Sequence, residues 1–127
     1  HIYANEFVSA LKFPLLSVVV SGGNTEFILM KNHMEFDVIA ETRDDAIGEC
    51  YDKVARVLGL PYPGGIPIDK LAKEGKHTYN LPTPLRGEDT YDLSYSGLKT
   101  NVINLVHKYE QKGLRLLVLF LLQKITK

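Results

Sequence analysis

The sequence predicts an α/β fold in which an antiparallel three-stranded meander is followed by helices. Two apolar runs, residues 15–20 and 25–31, flank a short Gly-Gly turn, and this arrangement is typical of a β-hairpin. Residues 34–42 then alternate between apolar and polar side chains, which indicates a third strand. Apolar residues at helical spacing follow the third strand, so the meander is expected to be continued by helices.

The first strand is apolar almost throughout, so we expect it to be central and buried on both faces. In the third strand, alternation places Phe36, Val38 and Ala40 on one face. Residues 1–11 have the spacing of a helix end, which Pro14 terminates.

The first long helix is predicted to begin at Thr42 or Asp44, either of which is a good N-cap residue, and to end at Gly59. Its buried stripe consists of Ile47, Cys50, Tyr51, Val54 and Leu58. A polar stripe lies opposite and consists of Asp45, Glu49, Asp52 and Arg56. The simplest interpretation of such a charged stripe is a solvated helix face.

A second helix is predicted over residues 66–73, after a turn rich in proline and glycine. Residues 75–92 read as a long surface connection with room for one short strand. A third helix then begins with Ser94 or Ser96 as its cap and ends at Gly113.

The composition limits the classes of function that the chain can have. The chain has 127 residues, about one domain, and its formal net charge of zero provides no global basic field for nucleic acid. Cys50 is the only cysteine, which fits a reducing compartment. We see no signal peptide at the start, and the initial His1 indicates a processed chain or a piece of a longer one. The apolar run at residues 114–122 is too short to span a membrane.

Two glycine pairs are candidate ligand sites. Residues 21–25 read Ser-Gly-Gly-Asn-Thr, a turn whose backbone N–H groups can hold an anion such as a phosphate; an ordinary tight turn is the alternative. Gly64 and Gly65 precede a helix, where N–H groups can also face a ligand. A simple turn between two helices explains these glycines equally well. His33, His77 and His107 are isolated histidines, and we do not expect them to bind a metal.

Four stretches in order resemble one family, the transferase subunit of tRNA threonylcarbamoyladenosine synthase, which has the older name O-sialoglycoprotein endopeptidase or glycoprotease. They are the Ser-Gly-Gly-Asn-Thr loop, the Glu-Thr-Arg-Asp-Asp-Ala-Ile-Gly-Glu helix start at 41–49 with Tyr-Asp-Lys at 51–53, the Leu-Gly-Leu-Pro-Tyr-Pro-Gly-Gly turn at 58–65 with Ile-Asp-Lys-Leu-Ala at 68–72, and Asp-Leu-Ser-Tyr-Ser-Gly-Leu-Lys-Thr at 92–100. The resemblance extends from His1 to about Val106.

The resemblance implies part of an actin/Hsp70-like ATPase fold, which has two RNase-H-like lobes around a nucleotide cleft. Residues 1–12 would end the first lobe, residues 13–113 would open the second, and residues 114–127 form an atypical apolar tail. It further implies a cytoplasmic acyltransferase that moves a threonylcarbamoyl group from threonylcarbamoyl-AMP to N6 of adenine 37 in tRNAs reading codons that begin with A.

The resemblance also implies site residues. Those for the substrate are Val19, Val20, Ser21, Gly22, Gly23, Asp52, Gly65 and Asp69. Asp52 matches the acid that contacts the adenylate ribose, and we expect Asp45 and Glu49 to support it. His1 matches the second histidine of an H-x-x-x-H motif that binds iron or zinc, and it is one of three metal ligands in the family. We expect no synthase activity from this chain alone.

The implied partners are tRNA, threonylcarbamoyl-AMP or ATP, a paralogous non-catalytic subunit and a P-loop ATPase subunit. Three other interpretations stay open. A metalloprotease would fit the older family name, but the sequence has no H-E-x-x-H motif. A catalytically inactive piece could self-associate through the apolar tail. A generic actin-like ATPase or sugar kinase would share only the glycine loop.

Overall fold

The computed structural model describes residues 1–75 and 79–112, so the predictions for His77, Gly113 and the apolar tail lie outside the described residues. A 3₁₀ helix, Tyr3–Phe7, comes first. It is followed by β1 (Leu15–Val20), β2 (Thr25–Asn32), β3 (Glu35–Glu41), α1 (Ile47–Val57), α2 (Gly65–Ala72) and α3 (Ser96–Glu110). The predicted meander and the three helices after it are therefore confirmed.

The three strands form one antiparallel sheet in the order β1-β2-β3. The prediction that β1 is central and doubly buried is wrong. It pairs only with β2 among the described residues, and Leu16, Val18 and Val20 are 53–58% exposed on one of its faces. An apolar run indicates a strand that can be covered on both faces, but it does not identify what covers it.

The predicted alternation in β3 fails at Ala40. Val38 pairs with Ile28, whereas Ala40 pairs with Phe27, so Ile39 is an extra residue between the two pairs. This β-bulge turns Ala40 to the face opposite Val38. Ala40 is accordingly buried, while Val38 is 56% exposed.

The start of the chain forms only one short 3₁₀ helix, Tyr3–Phe7, instead of the expected helix end, and none of its residues is buried. Its anchor is Tyr3, whose hydroxyl accepts a hydrogen bond of 2.8 Å from the Met34 N–H. The Tyr3 ring also stacks on His33, with ring centroids 5.9 Å apart. His33 is thus part of an aromatic contact that fastens the chain start to the β2–β3 turn.

The hydrophobic core lies among the helices. The predicted stripe of α1 is confirmed at Cys50 and Val54, which are both almost fully buried. They belong to a cluster with Ala55 of the same helix and with four residues of α2, α3 and the connection between them: Ile68, Ala72, Leu81 and Val102. Each large side chain buried in this way stabilises the fold by roughly 1.5–3 kcal/mol.

The helix caps differ from the predictions. Gly59 does end α1 in the left-handed conformation, with φ of 70°. The first turn of α1 is capped from β2, because the Ile47 N–H donates to the buried Thr25 Oγ1 at 2.9 Å. Neither Thr42 nor Asp44 caps α1, since the Thr42 hydroxyl instead donates to the Asp45 carbonyl.

The start of α3 is capped by Asp44 rather than by its own serines. Asp44 Oδ1 accepts the N–H groups of Tyr95 and Ser96 at 2.7 and 3.1 Å. The hydroxyls of Ser94 and Ser96 donate to Oδ2. The residues between β3 and α1 are therefore tied to α3. In the described part of the chain, no helix combines the length and the apolar character needed to cross a membrane.

Candidate functional site

The Ser-Gly-Gly turn between β1 and β2 is folded around the Ser21 side chain. Ser21 Oγ accepts the N–H groups of Gly23 and Asn24 at 3.2 and 2.9 Å, and the Ser21 N–H donates to the Asn24 carbonyl at 2.8 Å. Such a serine turn holds a loop compact without a core beneath it. Apart from the chain neighbours of each glycine, no atom of the described residues lies within 4 Å of a Cβ built at Gly22 or Gly23, so the backbone at both positions is open.

A cavity of ≈ 260 Å³ lies between this turn and the start of the chain. Four residues predicted from the resemblance share it: His1, Val19, Val20 and Ser21. Asn5 also lines the cavity, and its side-chain amide donates to the Ile2 carbonyl at 2.9 Å. The predicted substrate loop and the predicted metal histidine are therefore neighbours in space.

Asp52 lines a second cavity, of ≈ 310 Å³, together with Arg56 and Tyr62. One of its carboxylate oxygens, Oδ1, accepts the Gly64 N–H at 2.7 Å and so holds the turn that precedes α2. Oδ2 has no hydrogen-bond partner within residues 1–75 and 79–112. One oxygen of Asp52 thus has a structural partner, and the other is unpaired among the described residues.

Gly65 and Asp69 lie one turn apart on α2, which places them on the same helix face. Gly65 is the first residue of α2, where backbone N–H groups lack intrahelical partners. A Cβ there would meet no atom of another described residue, beyond its chain neighbours and its own helix, within 4 Å. Asp69 is exposed and forms an ion pair of 3.0 Å with Lys73. Surface pairs of this kind exchange readily with solvent or a ligand.

Helix α1 connects the two halves of the site through Gly48, a residue that our sequence analysis did not single out. The Gly48 N–H donates to the Ser21 carbonyl at 3.1 Å. Asp52 follows Gly48 by four residues and therefore lies on the same face of α1. The detectable signal was the glycine itself, because a glycine inside a helical pattern costs stability unless a close contact requires it.

The expected support of Asp52 by Asp45 and Glu49 is wrong for the described residues. Lys53 instead binds Glu49 at 2.7 Å and Asp45 at 2.9 Å, and Lys99 also binds Asp45. Burial acts to raise the pKa of Asp45, but hydrogen bonds from Lys99 and Lys53 outweigh it and lower that pKa. Glu49 and then Asp45 in turn raise the pKa of Lys53. Asp45 and Glu49 thus form ion pairs with lysines and do not orient Asp52.

Within residues 1–75 and 79–112, no three histidine, cysteine or acidic side chains come together in a way that could hold a metal ion. His1 provides a single imidazole donor beside the loop cavity. The residues present do not fit a complete iron or zinc centre, which needs several such ligands.

Together, these contacts define the class of the protein. It is an α/β protein in which a glycine turn packs against α1 and the same helix presents the Asp52 carboxylate. The family model for tRNA N6-adenosine threonylcarbamoyltransferase matches residues 1–125, and the chain belongs to this family. That match includes most of the tail at residues 114–127.

Curated relatives agree. The proteins named tRNA N6-adenosine threonylcarbamoyltransferase from Listeria monocytogenes and Listeria welshimeri are 59% and 58% identical over 113 residues, which is 89% of this chain. The protein of the same name from Bacillus anthracis is 60% identical over 116 residues, or 91% of this chain. The chain spans about a third of the length of these relatives, 33–34%.

Proposed function

We propose that this chain provides the adenylate-binding part of a tRNA-modifying acyltransferase. The enzyme would transfer a threonylcarbamoyl group from threonylcarbamoyl-AMP to N6 of adenine 37 in tRNAs that read codons beginning with A. The name shared by relatives near 60% identity supports this activity. One observation supports the assignment to particular residues. The Ser-Gly-Gly turn is hydrogen-bonded to α1 at Gly48, and Asp52 lies on the same face of that helix.

The two ends of the site suit two parts of an adenylate. Gly22 and Gly23 have no side chains to obstruct a phosphate, and the Gly22 N–H, unlike those of Gly23 and Asn24, is not donated to Ser21 Oγ and can attract an anion. Asp52 Oδ2 can accept hydrogen bonds from ribose hydroxyls, and a carboxylate makes such bonds stronger than a neutral acceptor does. Gly65 and Asp69 add a helix N-terminus and a second acceptor on α2. The ligand would therefore be held by its phosphate and its ribose.

The fold supports a matching architectural proposal. Three antiparallel strands followed by a helix that returns to the β1–β2 turn suit the opening of an RNase-H-like lobe of the actin/Hsp70-like ATPase fold. Residues 13–113 would form that opening, and residues 1–12 would end the preceding lobe. The partners of the assembled enzyme would be tRNA, a paralogous non-catalytic subunit and a P-loop ATPase subunit, with iron or zinc as the family metal.

Calorimetric titration of the chain with threonylcarbamoyl-AMP tests this proposal. Asp52→Asn is the sharpest variant, because its amide oxygen can still accept the Gly64 N–H while the charge of the ligand-facing oxygen is lost. We expect binding by the unmodified chain and at least about tenfold weaker binding by Asp52→Asn, since hydrogen bonds to a charged group contribute roughly 1.5–3 kcal/mol.

Asp89→Asn is the matched control, because Asp89 is exposed and its side chain makes no hydrogen bond among the described residues. It should bind the adenylate as the unmodified chain does. A chain that is folded by circular dichroism and does not bind would contradict the proposal. Equal binding by Asp52→Asn would remove Asp52 from the ribose site.

A further inference from the structure

Gly48, the second residue of α1, lies in direct contact with the Ser-Gly-Gly turn. A Cβ placed on Gly48 would lie 2.5 Å from the Ser21 carbonyl oxygen and 2.7 Å from the Gly22 Cα. Carbon atoms that are not bonded to each other approach best at about 3.5–4.0 Å. Both contacts are with backbone atoms, which cannot move aside as a flexible side chain can. Only glycine fits at this position with the turn as it stands.

We propose that Gly48 is a positioning residue for the adenylate site, a role that rests on the proposed function. Its missing side chain lets the turn lie directly on the first turn of α1. Its N–H, donated to the Ser21 carbonyl at 3.1 Å, sets the orientation of the Ser21–Gly22 peptide group. The phosphate end of the site is thereby set at a constant distance from Asp52, one helical turn further along α1.

Gly48→Ala should displace the turn without removing any group that touches the ligand. Relief of the clash requires the turn to move by roughly half an ångström to one ångström. The Gly22 and Gly23 N–H groups would move with it, while Asp52 would stay on its helix. Because misplacement of about this size is costly at a preorganised site, we expect adenylate affinity to fall at least about tenfold.

Gly97 provides a matched control within the same chain. It is the second residue of α3, as Gly48 is of α1. Among the described residues outside its own helix, a Cβ on Gly97 would meet only the Pro84 Cγ, at 3.9 Å, which is an ordinary van der Waals distance. Gly97→Ala therefore makes the same chemical change at the same helix position without the clash, and it should leave both the turn and adenylate affinity unchanged.

The first readout needs no ligand. In ¹H–¹⁵N spectra of the free protein, Gly48→Ala should shift the amide resonances of Gly22 and Gly23, and Gly97→Ala should not. The second readout is affinity for threonylcarbamoyl-AMP by calorimetry. Loop resonances that stay in place together with unchanged affinity would overturn the inference. If the unmodified chain does not bind adenylate, the proposed function fails, and the amide shifts still decide whether Gly48 sets the turn.

A measurement on the unmodified chain covers the case in which Gly48→Ala does not fold. The N–H at the second position of a helix usually has no helix partner, but that of Gly48 donates to Ser21. The corresponding N–H of Gly97 makes no hydrogen bond in the described part of the chain. We expect the Gly48 amide to exchange with solvent about tenfold more slowly than the Gly97 amide. Equal exchange rates would overturn the inference.

Discussion

Replacement of Asp44 by asparagine should destabilise the fold at neutral pH, because this carboxylate caps α3 although it is distant from that helix in the sequence. Asp44 accepts hydrogen bonds from the N–H groups of Tyr95 and Ser96 and from the hydroxyls of Ser94 and Ser96. Asparagine keeps the shape of the side chain but loses the charge. Two of the four donors would then face a neutral amide oxygen that accepts more weakly, and the other two would face an NH2 group that cannot accept a hydrogen bond.

The magnitude follows from the pKa of Asp44. Burial acts to raise this pKa, but the hydrogen bonds from Ser94, Tyr95 and Ser96 outweigh it and lower it from 3.8 to about 2. At 1.36 kcal/mol per pKa unit, the folded state favours the carboxylate by about 2 kcal/mol. Asp44 is exposed, so solvent screening reduces this figure. We expect Asp44→Asn to lower the free energy of unfolding by about 1 kcal/mol.

Urea unfolding monitored by circular dichroism measures this loss, with Asp89→Asn as the control. Because the folded pKa lies below the unfolded pKa, the stabilisation is fully present above pH 3.8 and is lost as the pH falls towards 2. The difference between Asp44→Asn and the unmodified chain should therefore shrink between pH 4 and pH 2. Equal stability at pH 7, or a difference that persists unchanged at pH 2, would refute this account of the cap.

Three further predictions concern groups that are buried or partly buried. Thr25→Val removes the oxygen that caps α1 and should cost about 1–2 kcal/mol in urea unfolding; the same change at the exposed Thr100 should cost little, and equal losses would contradict the assignment. Lys99→Met should raise the pKa of Asp45 in a carboxyl NMR titration, because Lys99 is the chief group that lowers it; an unmoved pKa would argue against the pair. Burial, and then the charge of Asp45, raise the pKa of Cys50 to about 11. Its thiol should therefore react with a disulfide reagent at pH 8 only after the chain unfolds. Rapid labelling of the folded chain would contradict this prediction.

Sequence patterns predicted the elements whose signals are local. The glycine turn at residues 21–25 and the apolar runs on either side are sufficient to define the β1–β2 hairpin. The helical spacing of Cys50 and Val54 and the position of Gly59 likewise define the buried face and the end of α1. Periodicity and turn chemistry are properties of neighbouring residues, so they can be recognised without a fold.

The caps could not be predicted because their partners are distant in sequence. Thr25 caps a helix that begins 22 residues later, and Asp44 binds residues 50–52 positions further along. A serine or an aspartate just before a helix is a good local candidate for its N-cap. In this protein, tertiary contacts instead place a side chain from elsewhere in the sequence at the start of each of these two helices. The bulge before Ala40 was also hidden, since alternation assumes an unbroken register.

The sequence supplied candidate site residues but not their arrangement in space. The resemblance supplied Ser21, Asp52 and Gly65, and the structure adds the hydrogen bonds that Ser21 and Asp52 make. Gly48 emerged only from the distance between α1 and the Ser-Gly-Gly turn. The hydrogen bond from Gly64 to Asp52 is equally invisible in sequence. Both depend on the packing of one loop against one helix, and no local pattern encodes that distance.

The most direct test of one adenylate site on α1 is a titration of the chain with threonylcarbamoyl-AMP, monitored through backbone amide resonances. The account predicts that Gly22, Gly23 and Gly65 shift together and give the same dissociation constant, because one ligand contacts the turn and the start of α2. Gly87, in the connection before α3, should stay in place. Shifts confined to one of the two segments, different dissociation constants for them, or no shifts in the folded chain would contradict the claim.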